Sequence, residues 1–113
     1  MDCLFCKMIN REIEPDVVHE DDQVLAFNDI NPQAPRHVLI VPKKHIATLN
    51  DIEEGDLEVV GRLQYTAASL AREFGFAEDG YRVVMNCNED GGQSVYHIHM
   101  HLLGGRRFTW PAG

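Results

Sequence analysis

The sequence predicts a single domain, residues 1–113, in which several short strands combine with one long helix. Two patterns carry this prediction. Histidine and apolar residues alternate between the glycine pairs at 91–92 and 104–105, which is the period of a strand with two different faces. Upstream, apolar residues recur at intervals of three and four as far as Phe74, which is the period of an amphipathic helix. A length of 113 residues with 44% hydrophobic content suffices for one core.

The first part of the chain is predicted to contain a short helix and a β-hairpin. Four apolar residues at helical spacing follow Asp2, a candidate N-cap, so we predict a short helix within residues 1–13. The segments Val17–Glu20 and Gln23–Phe27 flank the acidic pair Asp21-Asp22, a pattern that indicates a hairpin.

A buried strand and the long helix come next. Two prolines fix a loop at residues 28–36, and His37–Pro42 is predicted as a strand that stops at its proline. Residues 51–54 have the Asp-x-x-Glu spacing of an N-terminal capping box. The long helix is therefore predicted to begin there and to run to Phe74, where Gly75 ends it.

The last part is predicted to consist of two strands, a turn and a tail. Tyr81–Asn86 forms one strand, and residues 89–94 form a turn whose glycines can present backbone N–H groups to an anion. The histidine strand follows. Residues 106–113 form a non-periodic tail that holds the single tryptophan, Trp110. A tryptophan in such a tail is expected to pack either on its own domain or on a partner subunit.

Three of the six histidines, His97, His99 and His101, occupy every second position of the predicted last strand. Their side chains should project from one face roughly 6.5–7 Å apart, so a ligand of phosphate size could contact His99 together with either neighbour. Packing alone explains them poorly, since clustered imidazoles lose solvation and repel one another once protonated. Two of them could share a zinc ion, but three from one strand span roughly 13 Å and could not.

Other candidate residues leave alternatives open. Cys3 and Cys6 form a C-x-x-C motif, which is typical of a redox pair or half of a metal site, or arises by coincidence. A thioredoxin-like role is disfavoured because no buried strand precedes the motif. A zinc site would need two further ligands, for which His19, His45 and the strand histidines are candidates. Asp29, at a strand end, suits ribose hydroxyls, but an aspartate there also caps turns.

Charge and hydropathy narrow the classes of partner. A net charge of −8 and a pI of about 5.1 make the chain a poor candidate for binding a nucleic acid polymer, although a local site could bind one nucleotide. The sequence has neither an apolar run of membrane length nor a signal-peptide pattern, so we expect a cytoplasmic protein without membrane contact. Its three cysteines are then expected to be thiols or metal ligands.

The segment His97–Leu103 has the pattern His-x-His-x-His-x-x, with x apolar, and resembles the histidine triad (HIT) family. The resemblance covers essentially the whole chain, which is most similar in pattern to the Hint branch of that family. The other motifs that carry it are Asp29–Pro35, His37, Pro42–His45, Gly80–Arg82, Asn86, Gly91–Tyr96, Gly104–Arg106, Trp110-Pro111 and Gly113.

The resemblance implies an α+β fold. An antiparallel sheet of about five strands would carry one long and one short helix and continue across a homodimer. The resemblance also implies a purine nucleoside phosphoramidase, which cleaves the P–N bond between a purine nucleoside monophosphate and an amine, with aminoacyl-adenylates as further substrates. The reaction would pass through a covalent nucleotidyl-histidine intermediate and require no cofactor.

By the same resemblance, His99 is the nucleophile, a role that suits an imidazole because it attacks and leaves readily near pH 7. His101 and His37 would support the phosphoryl group. The departing amine needs a proton, which His101, His97 or Ser94 could relay. The other implied nucleotide-binding positions are Asp29 and Ser94, the base pocket Leu4, Phe5, Met8, Phe27, Ile30 and Leu39, the further contacts Asn86, Gly92 and Gln93, and Trp110 from the neighbouring subunit.

The cysteine pair departs from many Hint proteins, whereas other HIT-type proteins carry such a pair in a structural zinc site. By that similarity the zinc ligands are Cys3, Cys6, His45 and His97. His99 and His101 would then remain for catalysis. Asn28, beside Asp29, is a second departure that bears on base or ribose preference.

Three alternative functions compete with a phosphoramidase. Other HIT branches are dinucleotide hydrolases or nucleotidyl transferases, but they tend to replace the third triad histidine with glutamine, and His101 argues against them. A nucleotide-binding partner protein with incidental hydrolysis belongs to a different class. A metal carrier is the weakest alternative, because it leaves Ser94, Asp29 and His37 without a role.

Overall fold

The computed structural model describes residues 2–113 and has an α+β architecture, as predicted. Its helices and strands are α1 (Leu4–Ile9), β1 (Val17–Glu20), β2 (Val24–Asn28), β3 (Arg36–Pro42), α2 (Leu57–Phe74), β4 (Arg82–Val84), α3 (Asn88–Gly91) and β5 (Met100–Gly104). The strands form one antiparallel sheet in the order β1-β2-β3-β5-β4. None of the helices in the described part of the chain is long and apolar enough to cross a membrane.

The two central strands β2 and β3 are buried on both faces, and their alternating side chains divide the core in two. One face packs against the long helix α2, which ends at Gly75 in the left-handed region (φ 87°), as predicted. The opposite face packs against the short helix α1 through Phe5. The residues on this second face include Leu25, Phe27, Leu39 and Val41. The sheet therefore separates a large helix-covered core from a smaller one beside α1.

The long helix begins later than predicted, at Leu57 rather than within residues 51–54. Asp51 does form a capping box, but with Thr48: its carboxylate accepts hydrogen bonds from the Thr48 backbone N–H and hydroxyl, and Thr48 accepts from Asn50. Asp56 then caps the Glu53 backbone N–H in a second short turn. Because these boxes close two separate 3-10 turns, the regular helix starts only after them.

Other boundaries also differ from the prediction: β4 covers Arg82–Val84 rather than Tyr81–Asn86, and α3 forms where a turn was predicted at residues 89–94. The histidine strand enters the sheet only at Met100, where it pairs with Ile40, although β3 itself continues to Pro42. Before that point the chain runs beside the loop after β3, and the Ile98 backbone N–H donates to the Ile46 carbonyl. The N-cap of α1 is Cys3 rather than Asp2, since the Cys3 Sγ accepts from the Cys6 backbone N–H at 3.4 Å.

Candidate active site and metal centre

Sheet register brings the apolar and histidine residues of one face into a row. Phe27 on β2 pairs with Leu39 on β3, and Leu39 pairs with His101 on β5. The apolar residues that alternate with the histidines, among them Ile98, lie in the core on the α2 side. The prediction that the three imidazoles share one face is confirmed, because the Phe5 ring lies 5.8 Å from the His97 ring and 5.1 Å from the His99 ring, and the His99 and His101 rings are 5.1 Å apart.

Hydrogen bonds fix the tautomers of His37 and His101. The Gln33 backbone N–H donates to His37 Nδ1 at 3.0 Å, so the proton of neutral His37 lies on Nε2. That Nε2–H is 2.9 Å from His101 Nδ1 and donates to it. His101 Nδ1 is therefore an acceptor, and the proton of His101 lies on Nε2. The pair presents one N–H donor, His101 Nε2, towards the cavity next to His99.

The tautomer of His99 is the opposite one. Its Nδ1 lies 2.9 Å from the backbone carbonyl oxygen of His97, which can only accept, so Nδ1 carries the proton. The lone pair of neutral His99 is then on Nε2. Since His99 lines the cavity, this free nitrogen is available to a ligand there. An unprotonated imidazole nitrogen beside an N–H donor is an arrangement suited to attack on a phosphoryl group.

Burial keeps these imidazoles neutral. Loss of solvation lowers the pKa of His101 to about 4, with the charges of His99 and His37 adding to the effect and Asp29 opposing it. Burial also lowers the pKa of His37 and of His99, against the opposing influence of Asp29 and, for His99, of the hydrogen bond to the His97 carbonyl. A lowered pKa keeps the nucleophilic form populated at neutral pH.

A cavity of about 360 Å³ opens in front of His99 and His101. The structure brings ten of the predicted site residues to its wall: Leu4, Phe5, Met8, Phe27, Asp29, Ile30, Leu39, Ser94, His99 and His101. The wall combines apolar and polar side chains. Ile30 is 99% exposed, which makes it a side chain at the rim. A cavity with an apolar compartment and few convergent polar groups is typical of a small-molecule site.

Four further residues line the same cavity and were missed from the sequence: Glu14, Pro15, Asp16 and Val95. The hairpin register gives the signal that could have found the first three. Val17 pairs with Phe27, so the residues before Val17 lie beside Asn28, whose side-chain amide donates to Asp16 at 3.0 Å. Asn28 also lines the cavity, in keeping with its expected influence on specificity.

Asp29 has the turn-capping role and also lines the cavity, and its proposed contact with ribose hydroxyls stays a prediction. Its Oδ1 accepts the Asn31 backbone N–H at 2.8 Å, which is the turn-capping role. Its Oδ2 lies 3.4 Å from His37 Nε2 and faces the cavity side of the histidine pair. One carboxylate oxygen therefore holds the loop, and the other is directed at the site.

Four predicted nucleotide contacts lie outside the wall of this cavity: Asn86, Gly92, Gln93 and Trp110. The Gln93 side chain is buried and engaged with the backbone, since its amide nitrogen donates to the Ala47 and Val95 carbonyls and its oxygen accepts the Asn88 N–H. Gln93 thus holds the loop that carries Ser94. Trp110 is 83% exposed, so in the single chain it does not pack on its own domain.

A second cluster lies behind His99 and joins the four residues that the resemblance implied as zinc ligands. Their ligand atoms, one from each of Cys3, Cys6, His45 and His97, all lie within 4.8 Å of one another. His97 Nδ1 is 3.4 Å from Cys3 Sγ, 3.6 Å from Cys6 Sγ and 3.2 Å from His45 Nδ1. His45 Nδ1 is 3.4 Å from Cys6 Sγ. The candidate His19 lies elsewhere, paired with Asp21.

This cluster fits a tetrahedral ion. Zinc bonds of about 2.3 Å to sulfur and about 2.0–2.1 Å to nitrogen place the ligand atoms roughly 3.3–3.8 Å apart, close to the separations found here. His97 Nε2 lies 2.7 Å from the Pro42 carbonyl and must donate to it, so Nδ1 presents a lone pair to the cluster. Without a cation, burial and the adjacent Cys3 raise the pKa of the Cys6 thiol to about 11. Metal binding would therefore release thiol protons.

Comparison with known protein families matches residues 10–108 to the HIT domain family. The chain belongs to the HIT family. Purine nucleoside phosphoramidase of Escherichia coli strain K12 is 55% identical over 103 residues, which cover 91% of this chain and 87% of that protein. A 14 kDa zinc-binding protein of Zea mays is 54% identical over 112 residues, which cover 97% of this chain and 87% of that protein.

Solved HIT structures share the fold closely. The crystal structure of a HIT family hydrolase from Legionella pneumophila Philadelphia 1 superposes with a TM-score of 0.97 at 56% identity, and the match covers 99% of this chain and all of that one. A histidine triad protein from Clostridium difficile gives a TM-score of 0.92 at 49% identity, covering 96% and 95% of the two chains. The recognition of a HIT protein from its sequence motifs is confirmed.

Proposed function

We propose that this HIT protein is a hydrolase that cleaves the P–N bond of purine nucleoside 5′-phosphoramidates. The similarity to the phosphoramidase of Escherichia coli supports the reaction. The observation that carries the proposal is the free Nε2 of His99 in the cavity wall, next to the Nε2–H donor of His101. A nucleophile and a donor for the phosphoryl oxygen are the two groups that such a displacement needs.

In the first step, the His99 Nε2 lone pair attacks phosphorus while the P–N bond to the amine breaks. The departing amine takes a proton, for which Ser94 and His101, both in the cavity wall, are the candidates. His99 becomes a nucleotidyl-imidazolium, and its Nδ1–H remains bonded to the His97 carbonyl, whose partial negative charge stabilises the cation. In the second step, water attacks phosphorus and gives a proton to the group that protonated the amine, the P–N bond to His99 breaks, and the nucleoside monophosphate leaves with His99 restored.

The rest of the cavity suits a purine nucleoside. Leu4, Phe5 and Phe27 offer an apolar compartment for the base, and Asp29 offers a carboxylate for the ribose hydroxyls. Of the described residues, the wall includes the acidic Glu14 and Asp16 but no lysine or arginine. This charge pattern favours a phosphoramidate with a single negative charge over a dinucleoside polyphosphate with several.

We further propose that the active form is a homodimer. β4 lies at one end of the strand order, so its outer edge is available to continue the sheet into a second copy. Trp110 is exposed in a tail held near the sheet, where Arg82 donates to the Thr109 carbonyl at 2.9 Å. By family resemblance, this tail would reach the neighbouring subunit's site.

For the metal centre we propose a structural zinc ion held by Cys3, Cys6, His45 and His97. The fit of their ligand atoms to a tetrahedral ion supports this, and the relative from Zea mays bears the name of a zinc-binding protein. When bound, zinc would cross-link the cysteines of α1 to His45 and His97. His97 would then have a structural role, and His99 and His101 would carry the chemistry.

The test is hydrolysis of adenosine 5′-phosphoramidate by the wild type, by His99→Ala, and by His19→Ala as a matched control remote from the cavity. We expect His99→Ala to lose at least about 10³-fold in kcat, since removal of a nucleophile costs most of the rate enhancement. His19→Ala should retain wild-type kcat and KM. Acid-quenched wild-type enzyme should carry the mass of one adenylyl group on the peptide that contains His99.

Two results would contradict the proposal. If His99→Ala kept a kcat within roughly tenfold of the wild type, His99 would be excluded as the nucleophile. Tight binding of AMP by both proteins without hydrolysis by either would instead favour a nucleotide-binding partner protein.

A further inference from the structure

The metal cluster and the nucleotide cavity lie on two sides of the same short helix. Cys3 and Cys6, one helical turn apart at the N-terminus of α1, face the two metal-binding histidines. Leu4, Phe5 and Met8 of the same segment line the cavity. We propose that metal binding holds α1 in place as a wall of the nucleotide cavity, so that metal occupancy sets nucleotide affinity. The inference rests on the proposed function only in assigning the cavity to a nucleotide.

The first argument is how little else fixes α1. It has six residues, too few to be stable as an isolated helix. Within the described residues, the backbone hydrogen bonds of residues 3–13 connect that segment only to itself. Its side-chain contacts with the rest of the protein come from the buried Phe5 ring, the partly buried Met8 and Ile9 that pack on the same small core, the Arg11–Glu20 ion pair and the two cysteine sulfurs. Removal of the ion would leave α1 held by this packing, in which Phe5 is the one buried side chain of the helix, and by one surface ion pair.

The second argument is that the cluster is incomplete without a cation. His97 Nδ1 has a single lone pair, yet three groups approach it within 3.6 Å: Cys3 Sγ, Cys6 Sγ and His45 Nδ1. Only one of them can donate a hydrogen bond to that lone pair at a time. A divalent cation instead satisfies all four ligand atoms together. The ion therefore provides attraction between α1 and the histidines that hydrogen bonding cannot replace.

The third argument is the position of Phe5 between the two sites. Its ring contacts the metal-binding His97 and the proposed nucleophile His99, and it lies 5.5 Å from Phe27 in the base compartment. A movement of α1 would carry Phe5 with it and open the base compartment. The large core beneath α2 contains no residue of α1 among those described, so we expect the change to be local.

The experiment compares zinc-loaded wild type, chelator-treated wild type and the double variant Cys3→Ser/Cys6→Ser. Serine keeps the size of the side chain and the N-cap at position 3 but removes the thiolate ligands. Cys87→Ser, which changes the remaining cysteine outside the cluster, is the matched control. Zinc content, AMP affinity by calorimetry, kcat and KM, and amide hydrogen exchange of α1 and α2 are measured for each.

We expect chelated wild type and the double variant to bind AMP about tenfold more weakly or worse, because a wall of three apolar side chains is lost. KM should rise more than kcat falls. Exchange in α1 should accelerate while exchange in α2 stays as in the zinc-loaded protein. Returning zinc should restore the wild type but not the double variant, and Cys87→Ser should behave as the wild type throughout.

Unchanged exchange in α1 after complete removal of zinc would overturn the proposal, as would faster exchange in α1 with unchanged AMP affinity. A zinc-loaded protein that binds AMP but hydrolyses no phosphoramidate would contradict the proposed function alone. The metal dependence of AMP binding would still support the inference in that case.

Discussion

Individual histidines in this protein have roles that depend on which nitrogen each one leaves unprotonated. A backbone carbonyl holds the Nδ1–H of His99 and another holds the Nε2–H of His97, so their lone pairs are on opposite nitrogens. The sequence spacing predicted that these imidazoles share a face but not their tautomers. Tautomers depend on Pro42 and Gln33, which are distant along the chain and are brought to the site only by folding.

The tautomers are a testable prediction. In long-range ¹H–¹⁵N spectra of the zinc-loaded protein at pH 7, His99 should show the Nδ1–H form and His37 and His101 the Nε2–H form, because backbone groups hold His99 and His37 and the His37 side chain holds His101. The protonated and the bare nitrogen of a neutral imidazole have well-separated ¹⁵N shifts. The spectrum of His99→Ala should lack the Nδ1–H pattern, which assigns it. An Nε2–H pattern for His99 would remove the free nucleophilic nitrogen from the proposed mechanism.

At the scale of helices and strands, local sequence patterns predicted which elements exist better than where they begin. The capping residues around α2 illustrate the reason: Asp51 satisfies its box with Thr48, a partner upstream of the predicted start, and the helix is delayed to Leu57. The strand β5 starts at Met100 because the chain before it follows the loop after β3, where Ile98 donates to the Ile46 carbonyl, and this is a property of pairing rather than of alternation. Boundaries set by tertiary partners are not visible in a single segment.

The end of β5 provides a prediction at this scale. The Phe76 ring, just after α2, lies where a side chain on Gly104 would project. Gly104→Ala should therefore destabilise the protein by about 1–3 kcal/mol through overpacking. Gly55→Ala is the matched control, because its added methyl group meets nothing within 4 Å and should change stability by less than about 0.5 kcal/mol.

Urea unfolding of both glycine variants and the wild type gives the change in the free energy of unfolding that each variant causes. Equal stabilities for Gly104→Ala and the wild type would show that the Phe76 ring can move aside without cost. The contact between α2 and the histidine strand would then be looser than the packing indicates.

The whole molecule carries a net charge of −8, yet the proposed substrate is an anion. The site offers the anion neutral imidazoles rather than charged groups, because burial keeps His37, His99 and His101 uncharged. The sheet makes the arrangement possible by giving one face to α2 and the other to the histidines and α1. Composition alone made a nucleic acid polymer a poor candidate ligand but could not reveal a group of neutral imidazoles beside a cavity of an acidic protein.

The fluorescence of Trp110 gives a direct test of the proposed oligomeric state. It is the only tryptophan and is 83% exposed, so in a monomer its fluorescence should be that of indole in water. In the proposed homodimer, a partner subunit would cover it, and its emission should move to shorter wavelength. Dilution through the dissociation range should shift the emission back, since association depends on concentration.

Sedimentation velocity at the same concentrations gives the mass that accompanies each spectrum, and Trp110→Phe should abolish the signal. A monomer at every concentration would overturn the homodimer. A dimer whose Trp110 emission stays that of water-exposed indole would keep the dimer but remove the tail from its interface. Catalysis would then depend on residues of one chain, because Trp110 is the proposed contact from the neighbouring subunit.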